Sequence, residues 1–339
     1  MNALMINITK TLLIAICAVF CWACGNENRN NFYIEGTTAA DDSSKVVYMR
    51  LYKDTTLIDS ATVENHRFVF EGRIDRAVAV TVNNGDPHNG WMFFLEKDSL
   101  TLCDSLYYAE GGQLNREYRR FIDESDNEND NEDIDAYVST VKKYWAKHTD
   151  DAFGAYMLSL GYYYMDCDEM EALANNAGEN IKDDVLLKMV KKNIALQKKT
   201  SAGQMFSDAT LKDLEGNTHT LSEYIGKGKY VIMDCWASWC PPCRRLIPEL
   251  KEIYAQYRSK GVEVIGVATR DEAEDTKKAV EELDIPWTVL TDCCMATTIR
   301  DVYGFEGIPF VIMFAPDGTI IKRDLTETII KEILSDKFK

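Results

Sequence analysis

From Phe32 to about Leu106 apolar and polar positions alternate in short runs, "VVYMRLY", "HRFVFEG", "AVAVTV" and "WMFFLEKDSLTLCD". A period of two buries one face of a strand and leaves the other in water. The intervening "TTAADDSSK" and "VNNGDPHNG" are rich in residues that turn the chain. The pattern predicts an all-β, sandwich-like domain over residues 30–110, with a half-open barrel as the alternative. Beyond Gly111 and Gly112 the period becomes helical, in "AYVSTVKKYW", "AFGAYMLSLGYYYM" and "IKDDVLLKMVKKNIALQKK", giving a helical region over residues 111–200. Its aromatic positions, Tyr162, Tyr163 and Tyr164 among them, suit packing better than a cofactor box.

A third rhythm follows Ser201–Gly203, a linker by composition. "KYVIMDCW" reads as a buried strand, Pro241 to Ser259 as a helix and "VEVIGVAT" as a strand. Glu272 to Asp284 is again helical, "PFVIMFAPDGTIIKR" is a hairpin turning at Pro316–Gly318, and Leu325 to Phe338 closes as a helix. This alternation predicts an α/β domain over residues 203–339, with a mainly parallel sheet, covering helices and a final antiparallel pair.

Composition limits the functions available. With 339 residues and 46% hydrophobic content, the chain can fill two or three domain cores. Its 55 acidic side chains against 38 basic ones, a net charge of -17, repel phosphate backbones, so nucleic acid is not an expected partner. The densest acidic run, "DESDNENDNEDID" from Asp123 to Asp135, reads as a solvated linker. Asp126, Glu128 and Asp130 have the spacing of a calcium loop, but Asn131 stands where that loop needs glycine and Tyr137 where it needs a bidentate glutamate.

Thr11 to Ala23 is an uncharged apolar run after Lys10, shorter than the roughly 20 residues that span a bilayer and suited to a secretory h-region. It ends in "CWAC" followed by Gly25 and Asn26, which resembles a bacterial lipobox. That resemblance implies that residues 1–24 are a signal peptide and lipobox and that Cys24 is lipidated, on a chain anchored in the cell envelope and facing the periplasm. Plain signal cleavage and an uncleaved anchor are the alternatives. Of ten cysteines, Cys17, Cys21 and Cys24 belong to this leader, and the other seven are too sparse for a disulfide scaffold.

Two of the seven carry chemistry. "WASWCPPCRRLIPEL", Trp236 to Leu250, places Cys240 and Cys243 at a strand-to-helix junction. A sulfur at the N-cap faces unpaired amides and the positive end of the helix dipole, which favours the thiolate that attacks disulfides. Pro241 and Pro242 suit the first helical positions but remove two donors. Only the Cys243 amide is left among those three positions, so the Cys240 pKa should fall less than in the most oxidising enzymes of this type, at about 3.5. Cys243, one turn on, is placed to resolve the mixed disulfide. Asp234, six residues before Cys240, serves as base for the Cys243 proton if its strand buries it; pairing with Lys251 is the competing role.

Four features together resemble the thioredoxin fold, and more narrowly the envelope-anchored TlpA/ResA-like thiol-disulfide oxidoreductases. They are WCPPC, Asp234, Pro248 eight residues after Cys240, and "YGFEGIPF" with Pro309. The resemblance covers about Gln204 to Lys339 and implies a redox-active Cys240–Cys243 couple without metal or nucleotide. It implies protein thiols and disulfides as substrates and a membrane electron donor. Pro309 corresponds to the family's cis-proline, which presents the Ile308 backbone to substrate; Trp239 walls the site and Trp236 lies beneath it. The β-rich module before it is of a kind often fused to such domains.

Three other functions compete. A zinc site would need Cys293 and Cys294 to complete a set with Cys240 and Cys243. A peroxiredoxin-like peroxidase shares the entry segment "MFSDATLKDLEGNTHTLSEY", but its Thr and Pro before the cysteine are absent from "WASWC". A non-enzymatic interaction module would leave CPPC unused. Cys293 and Cys294 are either auxiliary thiols that exchange with the Cys240 pair or two semi-buried thiols opening a helix. Cys235 faces away from Asp234 as core filler, Cys103 and Cys167 carry no motif, and His66 and His88 read as loop or strand-face histidines.

Overall fold

The computed structural model describes residues 30–39, 43–54, 56–85, 90–102, 108–129 and 133–339. The leader with Cys24, His88, Cys103 and the side chains of the calcium-like triplet Asp126, Glu128 and Asp130 lie outside the described residues. The chain divides into two units, Met1–Val190 and Lys191–Lys339.

The first unit holds strands β1 (Phe32–Thr37), β2 (Val46–Leu51), β3 (Leu57–Thr62), β4 (Arg67–Gly72), β5 (Val78–Asn83), β6 (Gly90–Leu95), β7 (Ser99–Leu102) and β8 (Ala109–Glu110). They form two four-stranded sheets, ordered β4-β1-β7-β8 and β3-β2-β5-β6. Alternation turns Phe32, Ile34, Phe68 and Phe70 of one sheet toward Met49, Val80, Val82 and Phe93 of the other, and all eight share one buried core. Gly36 is required within it, because a Cβ there would stand 2.1 Å from Cζ of Phe68, its cross-strand neighbour.

Phe94 points outward from β6 and meets the rings of Tyr118, Phe153 and Tyr156 at 5.8, 5.4 and 5.8 Å. Tyr118 lies on α1 (Gln113–Asn129) and Phe153 and Tyr156 on α3 (Ala152–Gly161), the helices that meet the second sheet. Helix α2 (Ile134–Trp145) packs on both, α4 (Cys167–Asn175) follows α3, and α5 (Val185–Lys199) begins in the first unit and ends in the second. On edge strand β6 the Asn115 side chain completes the backbone of Phe94, accepting its N–H at 2.9 Å and donating to its carbonyl at 2.8 Å. Tyr162 is buried, whereas Tyr163 and Tyr164 are exposed.

The acidic run differs from expectation. Instead of a linker from Asp123, α1 continues to Asn129, because Leu114, Tyr118, Phe121 and Ser125 keep a buried helical spacing and no Gly or Pro interrupts it. Asp133 then caps α2, accepting the Ala136 N–H at 2.9 Å. Ser201–Gly203 is likewise not a free joint: the Gly203 N–H bonds the Ile320 carbonyl at 2.8 Å.

The second unit contains β9 (Thr210–Asp213), β10 (Thr218–Thr220), β11 (Tyr230–Trp236), β12 (Val262–Ala268), β13 (Thr288–Thr291), β14 (Phe310–Phe314) and β15 (Ile320–Arg323). Its helices are α6 (Pro241–Tyr257), α7 (Ala273–Glu282), α8 (Ile299–Tyr303) and α9 (Glu327–Lys337). One sheet runs β10-β9-β13-β12-β11-β14-β15. Strands β11, β12 and β13 are parallel and β14–β15 is antiparallel, as the sequence rhythm predicts, but the pairings β10–β9, β9–β13 and β11–β14 are antiparallel too. The sheet is therefore mixed rather than mainly parallel: β9 of the entry hairpin and the returning β14 run against the central three strands. Central β11 is buried on both faces. Val231, Met233 and Cys235 join one core with Tyr303 and Phe314. Ile232 and Trp236 join the opposite core with Cys243, Ile247, Leu250 and Ile253 of α6. Among the described residues no helix is long and apolar enough to cross a membrane.

Candidate active site

Helix α6 begins where the side chains require it to. Cys240 is the N-cap, Pro241 and Pro242 fill the first two helical positions, and the Cys240 Sγ accepts the Cys243 N–H at 3.2 Å. It is the single amide that the double proline leaves near the sulfur. Cys240 and Cys243 are joined in a disulfide with Cα atoms 5.3 Å apart. Cys243 is fully buried and Cys240 is only 3% exposed, so access to the dithiol is narrow. Pro248 sits on the exposed side of α6, where a missing N–H costs one helical bond without opening the core.

The Ile308–Pro309 peptide is cis, and the Ile308 carbonyl oxygen lies 3.8 Å from Cys240 Sγ. Trp239, 55% exposed, stands beside the dithiol with its indole N–H donating to the Arg270 carbonyl at 2.8 Å. Trp236 is buried beneath.

Asp234 lies on β11 between Ile232 and Trp236, so the strand period turns it toward the α6 side. It is 1% exposed and its Oδ1 has no partner. Burial pushes its carboxyl up to about 7. Lys251 does not pair with it, donating instead to the Leu283 carbonyl at 3.1 Å. A lone buried carboxyl that titrates near neutrality can exchange a proton where a surface one would stay ionised. Cys235, one residue on, faces the other core, and burial pushes its thiol up.

Two residues that matter here were not singled out in the sequence. Asp271, after β12, accepts the Ser238 N–H at 2.6 Å and the Ser238 and Thr276 hydroxyls at 2.8 and 2.9 Å, fixing the segment that leads into Cys240. Glu306, two residues before Ile308, accepts from Arg270, Arg300 and Asn193 at 3.2, 3.3 and 3.0 Å. The only sequence signal for Asp271 is an acidic residue just ahead of a helical pattern, and Glu306 has none beyond its nearness to Pro309.

Cys293 and Cys294 do not open a helix. They occupy a turn closed by the Met295 N–H on the Asp292 carbonyl at 3.0 Å, and α8 starts only at Ile299, capped by Thr298. Their sulfurs lie 3.4 Å apart, and the hydrogen bond between them, with burial, pushes the Cys293 thiol up. The zinc set is not assembled: Cys240 and Cys243 are bonded to each other, and no group of three or more His, Cys, Asp or Glu among the described residues could hold a metal ion. His66 sits in the β3–β4 turn.

Residues 202–323 match the AhpC/TSA family, and residues 32–118 match a domain of unknown function, DUF4369. The thiol-disulfide oxidoreductase ResA of Geobacillus thermodenitrificans is 30% identical over 132 residues, 39% of this chain and 73% of that protein. The chain belongs to the ResA-like thiol-disulfide oxidoreductases. ResA of Halalkalibacterium halodurans is 29% identical over 136 residues, 39% of this chain and 75% of its own. Among solved structures, a thiol:disulfide interchange protein from Bacteroides sp. is 31% identical, covering 41% of this chain and 91% of that one with a TM-score of 0.36. The thioredoxin domain of a Bacteroides vulgatus thiol-disulfide oxidoreductase is 29% identical, covering 41% and 99% with a TM-score of 0.37. The AhpC/TSA match falls in the second unit, the thioredoxin-like enzyme domain of this ResA-like chain, and the DUF4369 match falls on the β-sandwich.

Proposed function

We propose that this oxidoreductase reduces or exchanges disulfides of other proteins, with Cys240 as nucleophile, Cys243 as resolving thiol and Asp234 as acceptor of the Cys243 proton. The observation that carries the assignment is the N-cap sulfur, bonded to the Cys243 amide at 3.2 Å on a helix packed over the unpartnered buried Asp234. In the reduced protein that amide and the helix dipole favour the Cys240 thiolate. It attacks a substrate disulfide, one substrate thiol leaves, and Cys243 then displaces the other to restore the Cys240–Cys243 bond. Trp239, Pro241 and Pro242 border the incoming chain, and the Ile308 backbone before cis-Pro309 offers an extended substrate a hydrogen-bonding edge.

With insulin as test disulfide, Cys240→Ser abolishes reduction and Cys243→Ser accumulates mixed disulfides; equal residual activity in both variants sinks the order of attack. The AhpC/TSA match keeps peroxide as a second substrate to assay, and consumption of hydrogen peroxide at a rate above insulin reduction would favour the peroxidase.

The cellular setting is also part of the proposal. Cys24 carries a lipid, the chain faces the periplasm from the envelope, and a membrane donor returns electrons to the Cys240 pair. Metabolic palmitate label should be lost in Cys24→Ala; label that persists removes the anchor.

A further inference from the structure

The turn Asp292–Met295 holds the second pair of neighbouring sulfurs in the enzyme domain, and its position is specific. Trp236, Ala268 and Thr291 stand in one row across parallel strands β11, β12 and β13. Adjacent strands lie about 4.8 Å apart, so the ends of β11 and β13 are about 10 Å apart. The CPPC segment leaves the end of β11, and Cys293 follows two residues beyond the end of β13. Both cysteine pairs therefore follow the C-terminal ends of the parallel strands, on the same side of the sheet's end row.

The loop between β12 and α7 joins them. Asp292 donates its N–H to the Ala268 carbonyl at 3.1 Å and accepts the Thr269 hydroxyl at 2.7 Å. Cys293 Sγ is 3.9 Å from a carboxylate oxygen of Glu272. Between those two anchors, Arg270 and Asp271 hold Trp239 and Ser238. The same five residues thus brace the vicinal pair and the approach to Cys240.

The turn itself suits reversible bonding. Cys294 is exposed at φ 61°, the third turn position, where glycine or asparagine is usual. The two sulfurs already stand 3.4 Å apart. Adjacent Cα atoms are about 3.8 Å apart, closer than the roughly 4.4–6.8 Å of an unstrained disulfide. A bond between neighbours is therefore easily reduced.

We propose that Cys293 and Cys294 form a second redox couple, closed to a vicinal disulfide by an external protein or low-mass disulfide and reopened by the Cys240–Cys243 dithiol. This rests on the assignment of Cys240 as nucleophile. In the reopening step the Cys240 thiolate attacks the exposed sulfur of Cys294, and Cys293 leaves as thiolate. Cys243 gives up its proton and attacks Cys240, releasing Cys294. One S–S bond breaks and one forms; two electrons pass from the Cys240 pair to the Cys293 pair, whose thiolates take up two protons. The end state has a Cys240–Cys243 disulfide and two free thiols in the turn, as the structure has.

Differential alkylation and mass spectrometry of the full chain test this. Under an oxidising glutathione buffer, tryptic peptide 279–300 should lose two hydrogens. After both pairs are oxidised and two electron equivalents of dithiothreitol are added, the electrons should be found on Cys293 and Cys294. In Cys243→Ser, peptides 230–244 and 279–300 should become cross-linked through Cys240, with a yield unchanged on dilution. The proposal is overturned if peptide 279–300 never loses two hydrogens while Cys240–Cys243 closes. It is overturned equally if the electrons remain on the Cys240 pair, or if the cross-link is absent or falls on dilution. Insulin reduction by the same wild-type preparation separates the two ideas: activity retained with these failures removes only the second couple, whereas inactive protein removes the Cys240 assignment.

Discussion

The two cysteine pairs of the enzyme domain differ in what surrounds the sulfurs. Cys240 and Cys243 are buried at the start of a seventeen-residue helix, with a peptide dipole above and a buried carboxyl on the strand beneath. Cys293 and Cys294 lie in a surface turn with no such helix and with the carboxylate of Glu272 beside them. Neighbouring sulfurs alone do not make a nucleophile; an amide that favours the anion and a group that takes up the second proton do. Helix α6 supplies the amide and strand β11 the carboxyl to one pair; the turn supplies neither to the other.

The largest effect that would sharpen this contrast comes from Asp234→Asn. The variant should lose about 100-fold in insulin reduction near neutral pH, and the wild-type inflection near pH 7, where Asp234 titrates, should vanish from its pH profile. A variant that keeps the inflection would assign it to another group. Stability should move the other way. The folded carboxyl titrates at about 7 and the unfolded one at about 3.9. Between these values the folded state holds a proton that the unfolded state has released, so wild-type stability falls as pH rises from about 4 to 7 and is level above. Asparagine removes a penalty of up to about 4 kcal/mol and leaves a buried amide that costs about 2. A net gain of about 2 kcal/mol at pH 8 is expected in urea melts.

Asp271→Ala acts on the loop shared by the two pairs. It releases Ser238 and Thr276 and should cost about 2 kcal/mol, with slower insulin reduction because the segment entering Cys240 loses its anchor. Loss of stability at full activity would show that the anchor does not position the dithiol. The smallest effect is on the second pair. Cys294→Gly relieves the positive φ at that turn and should stabilise the protein by about 1 kcal/mol after the entropic cost of glycine; an unchanged urea midpoint would mean that the turn tolerates cysteine without strain.

What could be read from the sequence was what acts over a few residues. The CPPC junction, the Cys240 N-cap and the buried stripe of α6 depend on spacings of three and four, and the alternation of β1 and β4 on a spacing of two. Asp234 was legible from its place in an apolar run six residues before Cys240 and from the thioredoxin-like resemblance. Asp271 was not, since it meets Ser238 across 33 residues of chain, and neither was Glu306, which meets Asn193 across 113. The extent of α1 was misread for a different reason: high charge from Asp123 onward suggests a loop, while the apolar stripe that makes it helix is set by Leu114, Tyr118 and Phe121, earlier in the chain. The turn at Cys293 was mistaken for a helix start because Thr298, the true cap, stands only four residues beyond Cys294.

The Asn115 amide occupies on β6 the place a neighbouring strand would take. An open strand edge is a template for stacking one molecule on the next. With its donor and acceptor at Phe94 already used, this border resists recruitment into intermolecular ribbons, which gives the module a defence against aggregation wherever copies of the chain are crowded together.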